Sequence, residues 1–370
     1  MTASEPWVLQ LCHGYDGPFL DCARQYAALF VGTPYKVCTV FLTGVPDERV
    51  ASACASDEVL FLGYSSKEVG GLKLGAICRL RKIIRGRDFR LCIAHRFKPT
   101  YIACLATRLP AIGVNHAFGV YQRFSRRVFA NLFRKRLMLF GVSNAVRDDI
   151  RACLPGWPAE RIETLYNRID IEAVQAEQLD RTAAREALGL PQSAWIIGNA
   201  GRLHPDKDQA TLIRGFALAA PQLPPASVLA IMGSGRLEAE LKRLASELGV
   251  TDRVQFLGQV PQGRRYFKAF DLFALTSDHE PFGMVLLEAM AARVPTLCSD
   301  CGGGREVIAD ERCLFQLGQP QGLAKVLLRL SMQGADPALV ESQRQRLASV
   351  FSDAAARTRF WSLPIVRQLG

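Results

Sequence analysis

AWIIGNAGRLHPDKDQATLIRGFALAAPQLPPASVLAIMGSG, residues 194–235, holds two kinds of pattern. Residues 194–200 and 227–233 are apolar runs short enough for buried strands, and residues 209–220 between them read as a helix. Strand, helix and strand in succession make the βαβ unit of a parallel sheet, whose two faces must be covered by helices.

The same alternation extends in both directions. Downstream, VQFLG (254–258), LFALTS (272–277) and PTLCS (295–299) read as further strands, with helices at 237–248, 262–269 and 283–292. Two more helical stretches follow Cys313, and a tail from Phe351 has no sheet partner in sight. Upstream, strands at 7–12, 35–42, 58–62, 91–94, 111–115 and 137–142 alternate with helices such as 20–30, 75–85 and 98–107. Around Asn167-Arg168-Ile169-Asp170 the pattern lapses into charged, Gln/Glu-rich sequence, which Leu188-Gly189-Leu190-Pro191 then punctuates. With 370 residues, 49% of them hydrophobic, the chain exceeds one ordinary core. The expected fold class is therefore α/β, with one parallel sheet in each half.

No basic segment precedes an apolar stretch near Met1 and no run of 18 or more apolar residues occurs, so the expectation is a cytoplasmic protein that does not span a membrane. Eleven cysteines are scattered through the elements and read as reduced core residues; Cys298 and Cys301 form a C-x-x-C that no second pair completes into a metal site. The net charge is +11, and residues 79–147 hold sixteen Lys/Arg against a single acid, Asp88. Such a block attracts nucleic acid, anionic headgroups or a phosphorylated substrate, and charge alone does not choose among them.

In open parallel sheets, ligands sit beyond the carboxyl ends of the strands, where helix N-termini offer N–H groups to anions. Four loops of the second half lie at such ends: Gly201-Arg202-Leu203-His204-Pro205-Asp206-Lys207-Asp208, Gly233-Ser234-Gly235, Asp278-His279-Glu280-Pro281-Phe282-Gly283, and Asp300-Cys301-Gly302-Gly303-Gly304-Arg305-Glu306. Arg202 can donate two parallel hydrogen bonds to phosphate oxygens and Lys207 a point charge, which suits a diphosphate. Gly233 permits close backbone approach but lacks the third glycine of a dinucleotide fingerprint. The D-x-D of Asp206 and Asp208 is interrupted by Lys207, which argues against a metal. Pro281 suits a first helical turn, so a helix starting near Phe282 would leave the N–H groups of Gly283, Met284 and Val285 facing an anion or hydroxyl. Glu288 lies two turns on among residues expected to be buried. It needs a partner there, either a backbone group or arginine of the core or a vicinal diol such as a ribose.

Together these segments resemble the retaining glycosyltransferases of family 4: G-R-L-x-x-x-K-D at 201–208, G-S-G at 233–235, V-Q-F-L-G at 254–258, the E-x(7)-E of Glu280 and Glu288, and S-D-C-G-G-G-R-E at 299–306 occur in that family's order. Earlier segments match less closely: the glycine loop at 14–17, V-N-H-A-F at 114–118 and G-V-S-N-A-V-R-D-D-I at 141–150. The resemblance implies the GT-B fold, two Rossmann-like parallel-sheet domains facing a central cleft. Domain one would be 1–168 plus a C-terminal helix at 351–370, and domain two, 169–350, would bind the nucleotide-sugar. It further implies that Arg202 and Lys207 hold the diphosphate, Glu288 the ribose and Glu280 the donor sugar. The amides of Phe282, Gly283, Met284 and Val285 would meet sugar hydroxyls or phosphate, His116 would reach the donor sugar from the first domain, and the loop around Gly17 would close over the phosphates. One departure is Arg168, which stands where the family has glycine; arginine is poor at positive φ, so either the backbone differs there or the loop faces something acidic.

The expected function is transfer of a hexose from a nucleoside diphosphate sugar, UDP preferred, with retention of configuration and without a cofactor or metal. The expected acceptor is a cell-envelope glycan, lipopolysaccharide core or another lipid-linked saccharide. Residues 122–140, QRFSRRVFANLFRKRLMLF, interleave basic and apolar side chains, either as an amphipathic contact with an anionic membrane on the cytoplasmic face of the inner membrane or as a helix packed on the core. Alternatives are a nucleotide-sugar epimerase or phosphorylase on the same fold, and a basic nucleic-acid-binding protein. The last would leave Glu280 and Glu288 unexplained and lacks a recognisable stacking surface, so no nucleic-acid partner is expected.

Overall fold

The computed structural model describes residues 5–332 and 336–367. The chain divides into two compact units, Met1–Arg168 with Asp353–Gly370, and Ile169–Ser352.

Unit 1 is built on seven parallel strands: β1 Pro6–Cys12, β2 Lys36–Thr43, β3 Glu58–Tyr64, β4 Asp88–His95, β5 Ala111–Asn115, β6 Leu137–Gly141 and β7 Ile162–Thr164, in the order β3-β2-β1-β4-β5-β6-β7. All five residues of β5 and of β6 are buried, as a parallel sheet covered on both faces requires. Unit 2 repeats the plan with six strands: β8 Ile196–Ala200, β9 Val228–Met232, β10 Val254–Gly258, β11 Leu272–Leu275, β12 Thr296–Ser299 and β13 Leu314–Phe315, in the order β10-β9-β8-β11-β12-β13. Neighbouring strands of this sheet are parallel throughout. In each sheet the order reverses after the first strand, so the loops leaving β1 and β4, and those leaving β8 and β11, diverge to opposite faces and leave a crevice between them.

Several expectations need correction. The lapse after Asp170 is two short helices, Ile171–Glu177 and Arg181–Ala187, whose amides are capped by the Asp170 and Asp180 carboxylates at 3.0 Å each. The tail is not one helix over 351–370 but Asp353–Trp361 and Pro364–Arg367, interrupted before Pro364; residues 368–370 lie outside the described residues. The stretch 122–140 is also divided. Its helix is Phe124–Phe133, while residues 137–140 belong to buried β6 and have no access to any surface.

Arg168 does not adopt positive φ. Its guanidinium is fully buried and bonds to Asp353 at 2.6 Å and to the Gln25 carbonyl, and its own amide donates to Gln25 Oε1 at 3.0 Å. Asp353 also accepts from Arg24 at 2.9 Å. The acidic neighbour of Arg168 is thus the first residue of the returning helix, which packs Phe360 and Trp361 on Phe30 and donates from Trp361 Nε1 to the Leu29 carbonyl. Unit 2 has a counterpart in Arg185, also fully buried, which bonds to Asp271 at 2.8 Å and to the carbonyls of Ala269, Pro191, Gln192 and Ala194.

Burial works to raise the Asp353 pKa, but the bonds from Arg24 and Arg168 outweigh it and hold the carboxyl below its ordinary value. A depressed folded-state pKa contributes stability that is present above the unfolded value of about 3.9 and is lost as pH falls through the folded one. Asp353→Asn should cost about 3 kcal/mol at neutral pH, because Arg168 stays buried without its counter-charge. It should also flatten the loss of stability with acid below about pH 4. Urea denaturation across pH measures both effects.

Candidate active site

In unit 2 the crevice lies between the loops that follow β8 and β11. The loop after β8 is anchored by its own residues: Asp208 caps the helix Gln209–Ala219 by accepting from Thr211 N at 3.2 Å, and Gln209 Nε2 donates to the Arg202 carbonyl at 3.0 Å. Asp208 is therefore a cap. His204 and Asp206 pair with each other, and among the described residues no group of three or more His, Cys, Asp or Glu is placed to hold a metal.

The two loops meet in an ion pair. Lys207 Nζ donates to Glu280 Oε2 at 2.7 Å, with the lysine side chain 19% and the glutamate side chain 11% exposed. The backbone reinforces it: Thr276 Oγ1 donates to the Lys207 carbonyl at 3.0 Å and Asp278 N to the Asp206 carbonyl at 3.1 Å. Arg202 stands apart, its side chain 72% exposed and only loosely paired with Asp206 at 3.5 Å. Beside the strand ends, Asn199 Oδ1, Gln209 Oε1 and Ser277 Oγ are buried without a hydrogen-bond partner among the described residues, an unusual density of open polar capacity in a native interior.

Glycines account for the close approach of these loops. Gly233 N donates to the Gly258 carbonyl at 2.7 Å, and a Cβ at Gly233 would collide with the Gly201 carbonyl oxygen. Gly233 is required by the packing of two loops, which suffices without a ligand. In the helix Gly302–Ile308, a Cβ at Gly303 would meet Pro281 O and Phe282 Cα, while Gly303 N donates to the Glu280 carbonyl at 2.8 Å. The run of glycines thus lets that helix buttress the loop bearing Glu280.

The helix after Glu280 starts later than expected. It spans Met284–Ala291 with Gly283, at φ 97°, as its N-cap, so Pro281 stays in the loop and the Phe282 side chain turns into the core against Phe351. No side chain caps this end, which leaves Met284 and Val285, both half-buried, in the first turn. Glu288, expected to be buried, is half-buried and already interacts within the protein, so burial does not by itself demand a ligand.

Unit 1 carries the other two expected site residues. Gly17 lies exposed in the loop after β1 with φ 60°. His116 follows β5 and is half-buried; its Nε2 lies 3.2 Å from His95 Nδ1, its Nδ1 3.9 Å from Cys22 Sγ, and its ring meets Phe19 edge-on. Burial, aided by the charge of Arg96, pushes the His116 pKa down to about 4, so the imidazole is neutral near pH 7. Sequence reasoning missed His95 and Arg96, although both stand at the carboxyl end of a strand, the position that singled out His116. Cys298 is buried and Cys301 partly so; Cys301 Sγ donates to the Ser277 carbonyl at 3.0 Å.

Residues 180–346 match the family described as Glycosyl transferases group 1, and residues 35–173 match Glycosyltransferase Family 4. The chain belongs to this family. Within it, the chain is 34% identical over 198 residues to the D-inositol 3-phosphate glycosyltransferase of Thermomonospora curvata, covering 50% of this chain and 44% of that protein. It is 32% identical over 213 residues to the lipopolysaccharide core biosynthesis glycosyltransferase LpsD of Rhizobium meliloti, covering 56% and 58%. The chain thus spans about half the length of these curated relatives. Its fold is that of Anabaena HepE crystallised with UDP-glucose, at 20% identity and a TM-score of 0.76 over 98% of this chain and 99% of the other.

If the Lys207–Glu280 pair holds the two loops together, Lys207→Met leaves a buried carboxylate uncompensated and should destabilise unit 2 by about 1–3 kcal/mol. Combining it with Glu280→Gln should restore part of that loss. A thermal melt of the single variant that matches the wild type would show the pair to be structurally idle.

Proposed function

We propose that this family member is a retaining glycosyltransferase, moving a hexose from a nucleoside diphosphate sugar, UDP by preference, to a saccharide of the cell envelope. The observation that carries this is the Lys207–Glu280 pair bridging the two loops at the strand-order reversal of unit 2. A bare carboxylate there would repel a diphosphate. Neutralised by Lys207, it is free to accept hydrogen bonds from sugar hydroxyls, and Arg202 adds an exposed cation for the phosphates. The open helix end at Met284 and Val285 supplies amides for the same group, and the half-buried Glu288, one turn into the helix, is the carboxylate assigned to the ribose.

In the reaction, the bond from the anomeric carbon to the diphosphate oxygen breaks and the acceptor oxygen bonds to the same face of that carbon. The acceptor proton passes to the departing diphosphate. Lys207, Arg202 and the helix end stabilise the charge gathering on that leaving group, a role worth several kcal/mol in a preorganised site. Neither a metal nor a carboxylate nucleophile takes part.

The acceptor is a lipopolysaccharide-core or other lipid-linked glycan, the assignment favoured by LpsD among the relatives. The enzyme reaches it from the cytoplasmic face of the inner membrane. The helix Phe124–Phe133 supports that placement: Phe129 packs inward on Phe97 and Tyr101, while Phe124, Val128 and Leu132, at spacings of four, are 72%, 49% and 75% exposed among Arg123, Arg127 and Arg134. Among the described residues no helix is long and apolar enough to cross a membrane.

A melting screen across UDP-, GDP- and dTDP-sugars tests donor binding; at a hundred times its dissociation constant the true donor should stabilise by roughly 2.7 kcal/mol. Glu288→Ala should remove much of that stabilisation, and an unchanged shift would discard the ribose assignment. Product analysis with donor but no acceptor separates transfer from epimerase or phosphorylase chemistry. Phe124→Ser with Leu132→Ser should reduce sedimentation with anionic vesicles and leave sedimentation-free UDP binding intact; equal sedimentation would remove the membrane contact.

A further inference from the structure

The first sheet has its own reversal point, and what surrounds it differs from its counterpart in unit 2. The loops leaving β1, β4 and β5 enclose a cavity of about 440 Å³, whose walls include His13, His116 and four cations, Arg96, Lys98, Arg123 and Arg126. No aspartate or glutamate lines it, and none of the four forms an ion pair with a carboxylate among the described residues.

Two of these cations are held in place without being neutralised. The Arg96 guanidinium stacks over Phe19 at 4.6 Å and that of Arg126 over Phe97 at 4.7 Å, and Arg126 also donates to the Val120 carbonyl at 3.1 Å. Stacking fixes a guanidinium and leaves its charge uncompensated and its remaining donors open. The Arg96 backbone, at φ 76° and ψ 166°, occupies a region that suits glycine, and both its ends are pinned: its amide donates to the Val114 carbonyl at 2.8 Å, and its carbonyl accepts from Thr100 Oγ1 at 2.9 Å. Strain at this residue would vanish with glycine, yet the position holds a cation. Directly after it, the helix Phe97–Ala106 starts with no side-chain cap, and its first residues line the cavity, so the positive end of its dipole adds to the same field. His13 senses that field: burial and then the charges of Lys98 and Arg96 push its pKa down, against a smaller opposing effect of Asp16.

We propose that this cavity is a subsite for a phosphate group, and that the acceptor of the transfer carries a phosphomonoester there. The charge selects the ligand. Four cations without an ion pair among the described residues, together with a helix end, match a dianion with three terminal oxygens better than the single charge of a carboxylate. The volume leaves room for the phosphate and part of the sugar ring that bears it. The assignment of the phosphate to an acceptor rests on the glycosyltransferase reading; the anion site itself does not.

The test uses the full chain saturated with UDP, so that the diphosphate loops of unit 2 are occupied, and titrates inorganic phosphate calorimetrically at constant ionic strength. Lys98→Gln combined with Arg123→Gln alters two exposed side chains that pair with no carboxylate, so folding should be retained, and an unchanged melting temperature checks it. The expected result is measurable phosphate binding weakened about tenfold or more in the double variant, at unchanged UDP affinity. Arg123→Lys should keep most of the binding. Equal phosphate affinity in the wild type and the double variant, or no binding to either, overturns the subsite. Failure of UDP to bind overturns the nucleotide-sugar reading instead, and the phosphate titration is then made without it. Vesicles of phosphatidylcholine with and without phosphatidic acid identify the source. If inorganic phosphate releases wild-type protein from phosphatidic acid, the phosphate is lipid-borne. If phosphate binds without releasing vesicles, it belongs to a soluble sugar phosphate. Both outcomes uphold the site.

Discussion

Strand order governs where chemistry can occur in this protein. Each sheet is laid down outward from its first strand, the second and third strands one way and the remainder the other. The loops following the first and fourth strands must therefore part to opposite faces, and no hydrogen-bonded ladder can fill the space between them. In unit 2 that space is crossed by the Lys207–Glu280 pair; in unit 1 it opens into the cavity beside Arg96. The two crevices share a geometric origin and differ in electrostatics. One contains a lysine matched to a glutamate, with its surplus charge on exposed Arg202. The other holds stacked guanidiniums that form no ion pair with a carboxylate among the described residues.

Opposite solutions to burying charge appear in the scaffolds. Arg168 and Arg185 are fully buried, and each commits donors to a carboxylate and to backbone carbonyls, one for Arg168 and four for Arg185, that hold distant segments together. Arg168 in particular joins the last residue of one chain segment of unit 1 to the first residue of the other, Asp353. The stacking of Arg96 and Arg126 on phenylalanines costs no donor capacity. Buried arginines paired with a carboxylate serve structure, whereas stacked ones that form no ion pair among the described residues remain available to a ligand.

The strands were legible wherever an apolar run exceeded four residues, as at 111–115, 227–233 and 254–258. The edge strands Ile162–Thr164 and Leu314–Phe315 were not, because two or three residues show no periodicity. The helices Ile171–Glu177 and Arg181–Ala187 were hidden by their charged composition, although Asp170 and Asp180 announced them as caps. The start of the helix Met284–Ala291 was displaced because proline favours a first turn, whereas here the left-handed backbone of Gly283 sets the boundary. The motif residues of the β8 and β11 loops were visible as types and spacings. That Lys207 would reach Glu280, seventy-three positions away, was not.

The sequence by itself determined the fold class, the family, the loops at the strand ends and the excess of positive charge in the first half. These follow from local periodicity, glycine placement and composition, all of which act over a few residues. Only the tertiary structure decided which charges are neutralised: that Arg168 is paired with Asp353, that Lys207 is matched by Glu280, and that Arg96, Lys98, Arg123 and Arg126 line one cavity without an ion pair among the described residues. The physical reason is that electrostatic pairing depends on separation in space and on burial, and the sheet order, not position along the chain, sets both.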